Sequence, residues 1–240
     1  LACHGVITFP ELQEDFEIKD LPELKDLYID TGLEPEKLKK LGIDIGSYVI
    51  ARHHFKTLGN KDIISGKALD DRVGCYVLLQ VAKNLKKMEQ DIYYVFTVQE
   101  EIGLYGAQVS TYHLEPDWGL AIDTINAEDS GEFVTEGVRI GKGPCILLKD
   151  AEIITNKCLD DWIRLAAQKE GIKIQMKVEE IGTTDATKIL LSKSGIPATV
   201  ICVPVRNIHS TVGISHMKDI EDSIRLIIAI LNRPPRICAI

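Results

Sequence analysis

The chain has 240 residues, of which 45% are hydrophobic, enough for one large core and a smaller appended unit. Its 28 Lys and Arg residues against 36 Asp and Glu residues leave a formal net charge of -8. Because phosphate binding normally needs a basic surface, this balance argues against nucleic acid and acidic membranes as partners. No stretch approaches the roughly 20 apolar residues of a membrane span, and the first residues lack a secretory signal pattern.

The six cysteines are scattered along the chain without a CxxC pair, and several lie inside apolar runs such as TVICVPV. This usage favours buried, reduced thiols over a disulfide framework or a thiolate zinc site. We therefore expect a cytoplasmic protein.

The first sixty residues are dense in turn-forming residues and short extended patterns. The segments GVITFP, DLYID and SYVIARHHF are predicted to be strands. The segment EPEKLKKLG is predicted to be a short helix, with acidic residues near its N-terminus and basic residues near its C-terminus. Residues 1–60 are thus predicted to form a small β-rich unit.

Residues 61–240 alternate between amphipathic helices and apolar strands. Predicted strands are DIYYVFTVQ, GLAID, PCILLKD, IKIQMKV and ATVICVPV, and predicted helices are 73–85, CLDDWIRLAAQKEG, TDATKILLSKSG and 220–231. Strands that are apolar throughout and separated by helices indicate an α/β sheet covered on both faces.

Polar residues that close the apolar strands are candidates for a functional site, since α/β sheets bind ligands at the carboxyl ends of their strands. They are Asp70 and Asp71 in GKALDDRVG, Glu100 and Glu101 in FTVQEEIG, Asp123 in GLAID, and His209 in VPVRNIHS. An Asp before a helix is commonly an N-cap, and a lone His is commonly a satisfied polar group. The adjacent glutamates are harder to explain structurally, because neighbouring carboxylates repel one another and are costly to desolvate without a cation or a proton.

Carboxylates and an imidazole from four strand ends make a ligand set suited to Zn, Co or Mn. One carboxylate can bridge two such ions, which together would polarise a carbonyl and lower the pKa of a water molecule. A further free carboxylate would then serve as general base, and the glutamate pair offers one.

Two other polar residues stand next to these segments. Asp185 in GTTDAT starts a predicted helix and is first of all a candidate N-cap. Arg206 ends the same strand that His209 follows, and it either forms a structural ion pair or binds a substrate carbonyl.

The ordered motifs GKALDDRVG, FTVQEEIGLYGA, AIDT, GTTDATKI and VPVRNIHS resemble the tetrahedral (TET-type) aminopeptidase family of dinuclear metallopeptidases, which includes glutamyl and deblocking aminopeptidases. The resemblance implies a zinc-peptidase-like catalytic domain over 61–240, with a mixed sheet flanked by helices. It also implies that residues 1–60 are part of an inserted β-rich oligomerisation domain. The expected activity is hydrolysis of N-terminal residues from short peptides by a metal-activated water, in a homo-oligomer that is a hollow dodecamer.

The resemblance also implies roles for the candidate residues, with two divalent metal ions, Zn or Co, as cofactors. Asp70 would bridge both ions, next to Asp71 across a cis peptide. Glu101 and His209 would hold one ion and Asp123 the other, while Glu100 would be the general base. In the family the GTTDATKI loop lies near the amino end of the substrate, which makes Asp185 a candidate substrate contact together with Arg206.

The sequence departs from the family at two points. Relatives carry another His ligand in an N-terminal AHxD-type segment that this chain lacks, so we expect the chain to begin inside the inserted domain of a longer enzyme. GTTDATKI also has fewer glycines than the family form. A noncatalytic or truncated relative that acts as an assembly subunit is the main alternative, and a metal-dependent glycosidase is a weaker one.

Overall fold

The computed structural model describes residues 3–9, 22–86, 88–130 and 137–234. The chain divides into two compact units, Leu1–Ala51 and Arg52–Ile240. This division falls before the boundary predicted at residue 60, because the residues that follow Ala51 lead into a strand of the larger sheet.

The described residues of the smaller unit contain little regular structure. Strands β1 (Val6–Thr8) and β2 (Tyr28–Asp30) pair antiparallel, and helix α1 (Pro35–Lys40) follows them. Pro35 is at the first position of α1. Proline lacks a backbone N–H, but at this position no hydrogen bond within the helix would use one. None of the described residues of this unit is buried.

The larger unit is built on a mixed seven-stranded sheet within the described residues. Its strands are β3 (Phe55–Thr57), β4 (Ile63–Gly66), β5 (Gly119–Asn126), β6 (Cys145–Lys149), β7 (Gln175–Val178), β8 (Ala198–Arg206) and β9 (Gly213–His216). The order is β3-β4-β9-β8-β6-β7, and β5 pairs with β8 in parallel. Strand β8 is antiparallel to β6 and β9, so the sheet is mixed, as predicted.

The larger unit contains five α-helices in the part of the chain that the structure describes. They are α2 (Leu69–Asn84), α3 (Tyr105–Leu114), α4 (Lys157–Glu170), α5 (Ala186–Leu190) and α6 (Met217–Leu231). The side chain of Asn156 accepts hydrogen bonds from the first backbone N–H groups of α4, and Gly171 ends that helix with a positive φ of 64°.

Strand β8 runs through the centre of the core, with every residue from Ala198 to Val205 buried. Ile201 and Val203 pack in a cluster with apolar residues of α2, α4 and α6, while Val200 and Cys202 pack in a second cluster with Ala186 of α5. Successive strand residues point to opposite faces of a sheet. Both faces are therefore covered, which confirms the α/β fold predicted from the apolar strands.

The segment DIYYVFTVQ was predicted to be a buried strand, and this prediction is wrong. Residues 91–97 form no strand pairing, and Phe96 and Val98 keep 47% and 67% of their surface exposed. An apolar run forms a strand only where a neighbouring backbone meets its N–H and C=O groups. SYVIARHHF is likewise irregular until β3, with Tyr48 and Ile50 exposed.

The cysteines are not all reduced and buried. Cys145 and Cys202 are buried free thiols and Cys75 is an exposed one, but Cys158 is disulfide-bonded. The expectation drawn from cysteine spacing is wrong here, because spacing along the chain does not report which thiols meet in space. Among the described helices, none is long and apolar enough to cross a bilayer.

The core predicts a measurable contrast between two helical leucines. Leu226 of α6 is fully buried and Leu165 of α4 is exposed. We expect Leu226→Ala to lower the free energy of unfolding by about 2–5 kcal/mol, because it leaves a cavity in close-packed surroundings. Leu165→Ala should stay within about 0.5 kcal/mol of the parent chain. Urea unfolding measures both values, and equal losses would contradict this assignment of the core.

Candidate metal centre

The start of α2 holds two adjacent carboxylates. The backbone angles of Asp70 and Asp71 are not helical, and the peptide bond between them is cis. The Oδ1 atom of Asp71 accepts a hydrogen bond from the backbone N–H of Gly74 at 2.9 Å, which caps the helix that follows. A Cβ atom at residue 74 would lie 2.2 Å from Asp71 Oδ2, so glycine is needed for this approach.

The two glutamates lie in a tight turn between residues 91–97 and α3. The backbone N–H of Gly103 donates to the carbonyl of Glu100 at 3.1 Å, and that of Gly106 donates to the carbonyl of Val98 at 2.9 Å. A Cβ atom at residue 106 would lie 2.4 Å from the backbone nitrogen of Val98. The absence of a side chain at Gly106 therefore lets α3 begin directly after the glutamates.

Asp123 lies in β5, and His209 follows β8, the strand that pairs with β5. The sequence predicted Asp123 at the end of its strand. Strand β5 continues to Asn126, so Asp123 lies within the strand. Asp123 stands opposite Cys202 of β8 in the parallel register. His209 lies in the turn after β8, with a positive φ of 57° and a largely exposed side chain.

The fold brings these residues together into two groups. His209 Nε2 lies 3.3 Å from Asp70 Oδ2 and 3.7 Å from Glu101 Oε2, and the three possible ligand atoms of this first group all lie within 4.8 Å of one another. Carboxylate oxygens of Asp70, Asp71 and Asp123 form the second group within the same limit. Asp70 belongs to both groups.

Asp71 is the member of these groups that sequence reasoning did not count as a ligand. Its position beside Asp70 was the available signal, but a second Asp before a helix is equally explained as a cap. In the structure Asp71 does both. Its Oδ1 atom accepts the capping hydrogen bond from the Gly74 N–H, and its carboxylate lies close to those of Asp70 and Asp123.

The carboxylates of the centre raise one another's pKa values. Burial, and then the charges of neighbouring carboxylates, hold the pKa values of Asp71 and Asp123 well above their usual range. Burial raises the pKa of Glu100 to about 7, with the charges of Asp185, Glu101 and Asp70 acting in the same direction. Burial and Asp70 likewise raise the pKa of Glu101, while His209 opposes the rise.

This donor set fits a divalent cation. Clustered carboxylates stay charged only when a cation balances them, and otherwise they take up protons. Oxygen atoms combined with one imidazole are ligands that Zn²⁺ and Co²⁺ accept. Glu100 belongs to neither group, although it lines the same cavity as Asp70 and Glu101. A carboxylate that holds no ion but stands beside the ligands can serve as general base.

The cavity beside the carboxylates has a volume of about 870 Å³. Its walls include the acidic cluster and apolar side chains from α2, residues 90–97, β5 and α6. A smaller cavity of about 140 Å³ adjoins Glu101 and His209 and includes Lys67. The larger space has the size and mixed lining of pockets that take small organic ligands.

The two predicted substrate contacts have different surroundings. Asp185 lies at the N-cap position of α5, but its side chain makes no capping hydrogen bond. It lines the larger cavity and accepts a hydrogen bond from Thr97 Oγ1 at 2.7 Å. Arg206 forms a two-pronged ion pair with Asp129, at 2.6 Å and 2.9 Å. It lines neither of the two cavities described above, so the geometry favours the ion-pair alternative for Arg206.

Comparison with known proteins identifies relatives over most of the chain. The family model described as M42 glutamyl aminopeptidase matches residues 2–226. The structure of aminopeptidase APDkam598 from the archaeon Desulfurococcus kamchatkensis matches with a TM-score of 0.88 and 36% identity, covering 95% of this chain and 64% of that chain. The TET1 peptidase of Pyrococcus horikoshii matches with a TM-score of 0.84 and 32% identity, covering 95% of this chain and 67% of that chain.

A sequence relative extends the comparison. The lysyl aminopeptidase of Pyrococcus furiosus is 31% identical over 211 residues, which cover 86% of this chain and 59% of the relative. The chain thus spans about three fifths to two thirds of the length of these three relatives. These matches confirm the zinc-peptidase-like fold and the family resemblance carried by the ordered motifs. The chain belongs to the M42 glutamyl aminopeptidase family.

Proposed function

We propose that this protein is a metal-dependent aminopeptidase that hydrolyses N-terminal residues from short peptides. The convergence of Asp70, Glu101, Asp123 and His209 carries the proposal, because distant segments supply them to one acidic centre with the oxygen and nitrogen atoms that divalent ions take. Membership of an aminopeptidase family supports the same activity.

The proposed cofactors are two divalent metal ions, Zn or Co. Asp70 would be shared between the ions, because it belongs to both groups of possible ligands. Glu101 and His209 would complete the position on one side, and Asp123, with Asp71 beside it, would hold the other ion. When bound, such a pair of ions polarises a carbonyl group and lowers the pKa of a water molecule.

Glu100 is the proposed general base. Its carboxylate would take a proton from the attacking water and later deliver that proton to the leaving nitrogen. This role needs a carboxylate beside the ligands that does not itself hold an ion, and Glu100 lines the cavity without belonging to either group. Asp185 is proposed to contact the substrate from the same cavity. Arg206 is not retained in that role, because its guanidinium is paired with Asp129 and lines neither cavity.

We further propose that copies of this chain assemble into a homo-oligomer, with a dodecamer as the expected form. The Pyrococcus horikoshii relative is described as assembling into a tetrahedron or a large octahedral shell. In the smaller unit, the proposed part of the inserted β-rich domain, Ile45, Tyr48 and Ile50 expose large apolar surfaces that assembly would cover.

The proposed location is the cytoplasm. The acidic composition fits this location. The disulfide at Cys158 is unusual there outside hyperthermophiles, which makes the redox state of Cys158 in cells a direct check.

A noncatalytic assembly subunit is the second candidate. One observation favours it: within the described residues, the group of Asp70, Asp71 and Asp123 contains no imidazole. A folded, metal-loaded protein that hydrolyses none of the leucyl, glutamyl and lysyl p-nitroanilides would favour this candidate over the enzyme.

We expect Glu100→Gln to lower the turnover of these p-nitroanilides by about 10²- to 10⁴-fold, because the amide cannot accept the proton. Metal content should stay close to that of the parent chain, since Glu100 belongs to neither ligand group. The matched control is Glu221→Gln at an exposed position of α6, which should keep full turnover. Activity of Glu100→Gln within about tenfold of the parent would remove Glu100 from the role of base.

We expect His209→Ala to weaken zinc or cobalt binding by at least about tenfold, because even residues that only orient a ligand commonly contribute that much. Elemental analysis after dialysis at limiting metal measures the difference. His113→Ala, at an exposed position of α3, is the control and should bind as much metal as the parent chain. Equal metal content in the two variants would show that the imidazole of His209 is not a ligand.

A further inference from the structure

We infer that the ion pair between Arg206 and Asp129 positions His209 for metal binding. Arg206 and Asp129 are then positioning residues, which act through His209 and contact neither the substrate nor an ion. The inference rests on the proposed metal-dependent function. It gives a part in the metal centre to an ion pair that lines neither of the two cavities.

His209 lies in the turn of a hairpin that extends beyond its neighbouring strand. The antiparallel strands β8 and β9 form this hairpin, and residues 207–212 form its turn. The parallel pairing of β5 with β8 ends at Asn126 and Val205, and the backbone N–H of Ala127 then donates to the carbonyl of Val205 at 2.9 Å. In the described part of the chain, this pairing does not continue along the turn that carries His209.

The side chains of Arg206 and Asp129 connect the two strands beyond that point. Arg206 is the last residue of β8, and Asp129 lies shortly after the end of β5 at Asn126. The guanidinium donates to Asp129 through Nε at 2.6 Å and through Nη2 at 2.9 Å. A two-pronged pair fixes both the distance and the direction between its groups. It therefore limits sideways movement of the hairpin relative to β5.

This ion pair is shielded from solvent and is itself held in place. Only 10% of the Asp129 side chain and 27% of the Arg206 side chain are exposed. Asp129 Oδ2 also accepts a hydrogen bond from the backbone N–H of Ile140 at 3.2 Å. Burial by itself would raise the pKa of Asp129, but the hydrogen bonds and charge of Arg206 lower it below its usual value. The pair is therefore charged at neutral pH, and salt screens it less than an exposed pair.

The ion pair lies between the strands that supply both groups of possible ligands. Asp123 of the second group is on β5, and His209 of the first group follows β8. The His209 side chain is 67% exposed, so its position depends mainly on the backbone of the turn. Its Nε2 atom nevertheless has to stay near Asp70 Oδ2, at 3.3 Å. A brace between the strand ends would keep this spacing, and the loss of groups that orient a ligand commonly weakens metal binding by about 10- to 100-fold.

A double-mutant cycle of zinc affinity, measured by competition with a fluorescent chelator, tests this role. The relevant binding constant is the one that His209→Ala weakens. We expect Asp129→Asn to weaken the same constant by about tenfold, because a neutral amide does not hold the guanidinium in a charged pair. In the His209→Ala background, Asp129→Asn should weaken zinc binding by less than about twofold, because the side chain that the ion pair positions is gone.

Glu128→Gln is the matched control. Glu128 precedes Asp129 in the chain, but it pairs with Lys177 of β7 at 3.1 Å. Zinc affinity should therefore stay unchanged by Glu128→Gln in both backgrounds. Arg206→Lys is a second variant if Asp129→Asn does not fold, because lysine keeps the charge but not the two-pronged geometry. It should weaken zinc binding in the same His209-dependent way, and urea unfolding checks that each variant is folded.

Equal losses of zinc affinity with and without His209 would overturn the inference, because the ion pair would then act on the fold as a whole. Parent-like affinity in Asp129→Asn and Arg206→Lys would overturn it as well, and so would a His209→Ala variant that binds zinc like the parent chain. If the cycle behaves as expected but the parent chain hydrolyses no p-nitroanilide, the positioning role stands and the proposed peptidase activity fails. Hydrolysis by the parent chain together with equal losses removes the positioning role alone.

Discussion

Mutual repulsion among carboxylates is the constraint on which the centre depends. Carboxylate oxygens of Asp70, Asp71 and Asp123 lie within 4.8 Å of one another, and Glu101 approaches Asp70 from a separate segment. Burial and these like charges raise the pKa values of Asp71, Asp123 and Glu101, and a bound cation would favour the charged forms of these carboxylates. Packing elsewhere must hold the carboxylates together, because they do not attract each other.

Strand β8 supplies much of that packing. Its residues from Ala198 to Val205 are buried between helices on both faces, and it pairs with β5, which carries Asp123, and leads to the turn that carries His209. The start of α2 is anchored by Leu69, Val73 and Val77, which belong to the same core cluster as β8. A rigid frame of this kind would hold the possible ligand atoms in place before an ion binds, which precise coordination requires.

The two oxygens of the Asp185 carboxylate have different surroundings. Thr97 fixes one oxygen of the carboxylate, while the other is buried without a hydrogen-bond partner among the described residues. Arg206 is a different case, because its guanidinium donates two hydrogen bonds to Asp129 and lines neither cavity. Two polar residues that looked equivalent in sequence thus differ in what they leave available to a ligand.

The amino-acid sequence by itself determined the α/β class, the helices that end at residues such as Gly171, and the motifs whose acids and histidine meet at one centre. The fold class and the helix ends follow from short-range periodicity and capping, which neighbouring residues decide. The motifs were identified by their resemblance to a family. Only the tertiary structure decided that Asp71 joins the second group, that Arg206 pairs with Asp129 across 77 residues, and that residues 91–97 have no strand partner. The physical reason is that each of these outcomes depends on which distant backbone or side chain arrives alongside, and local sequence carries no record of that.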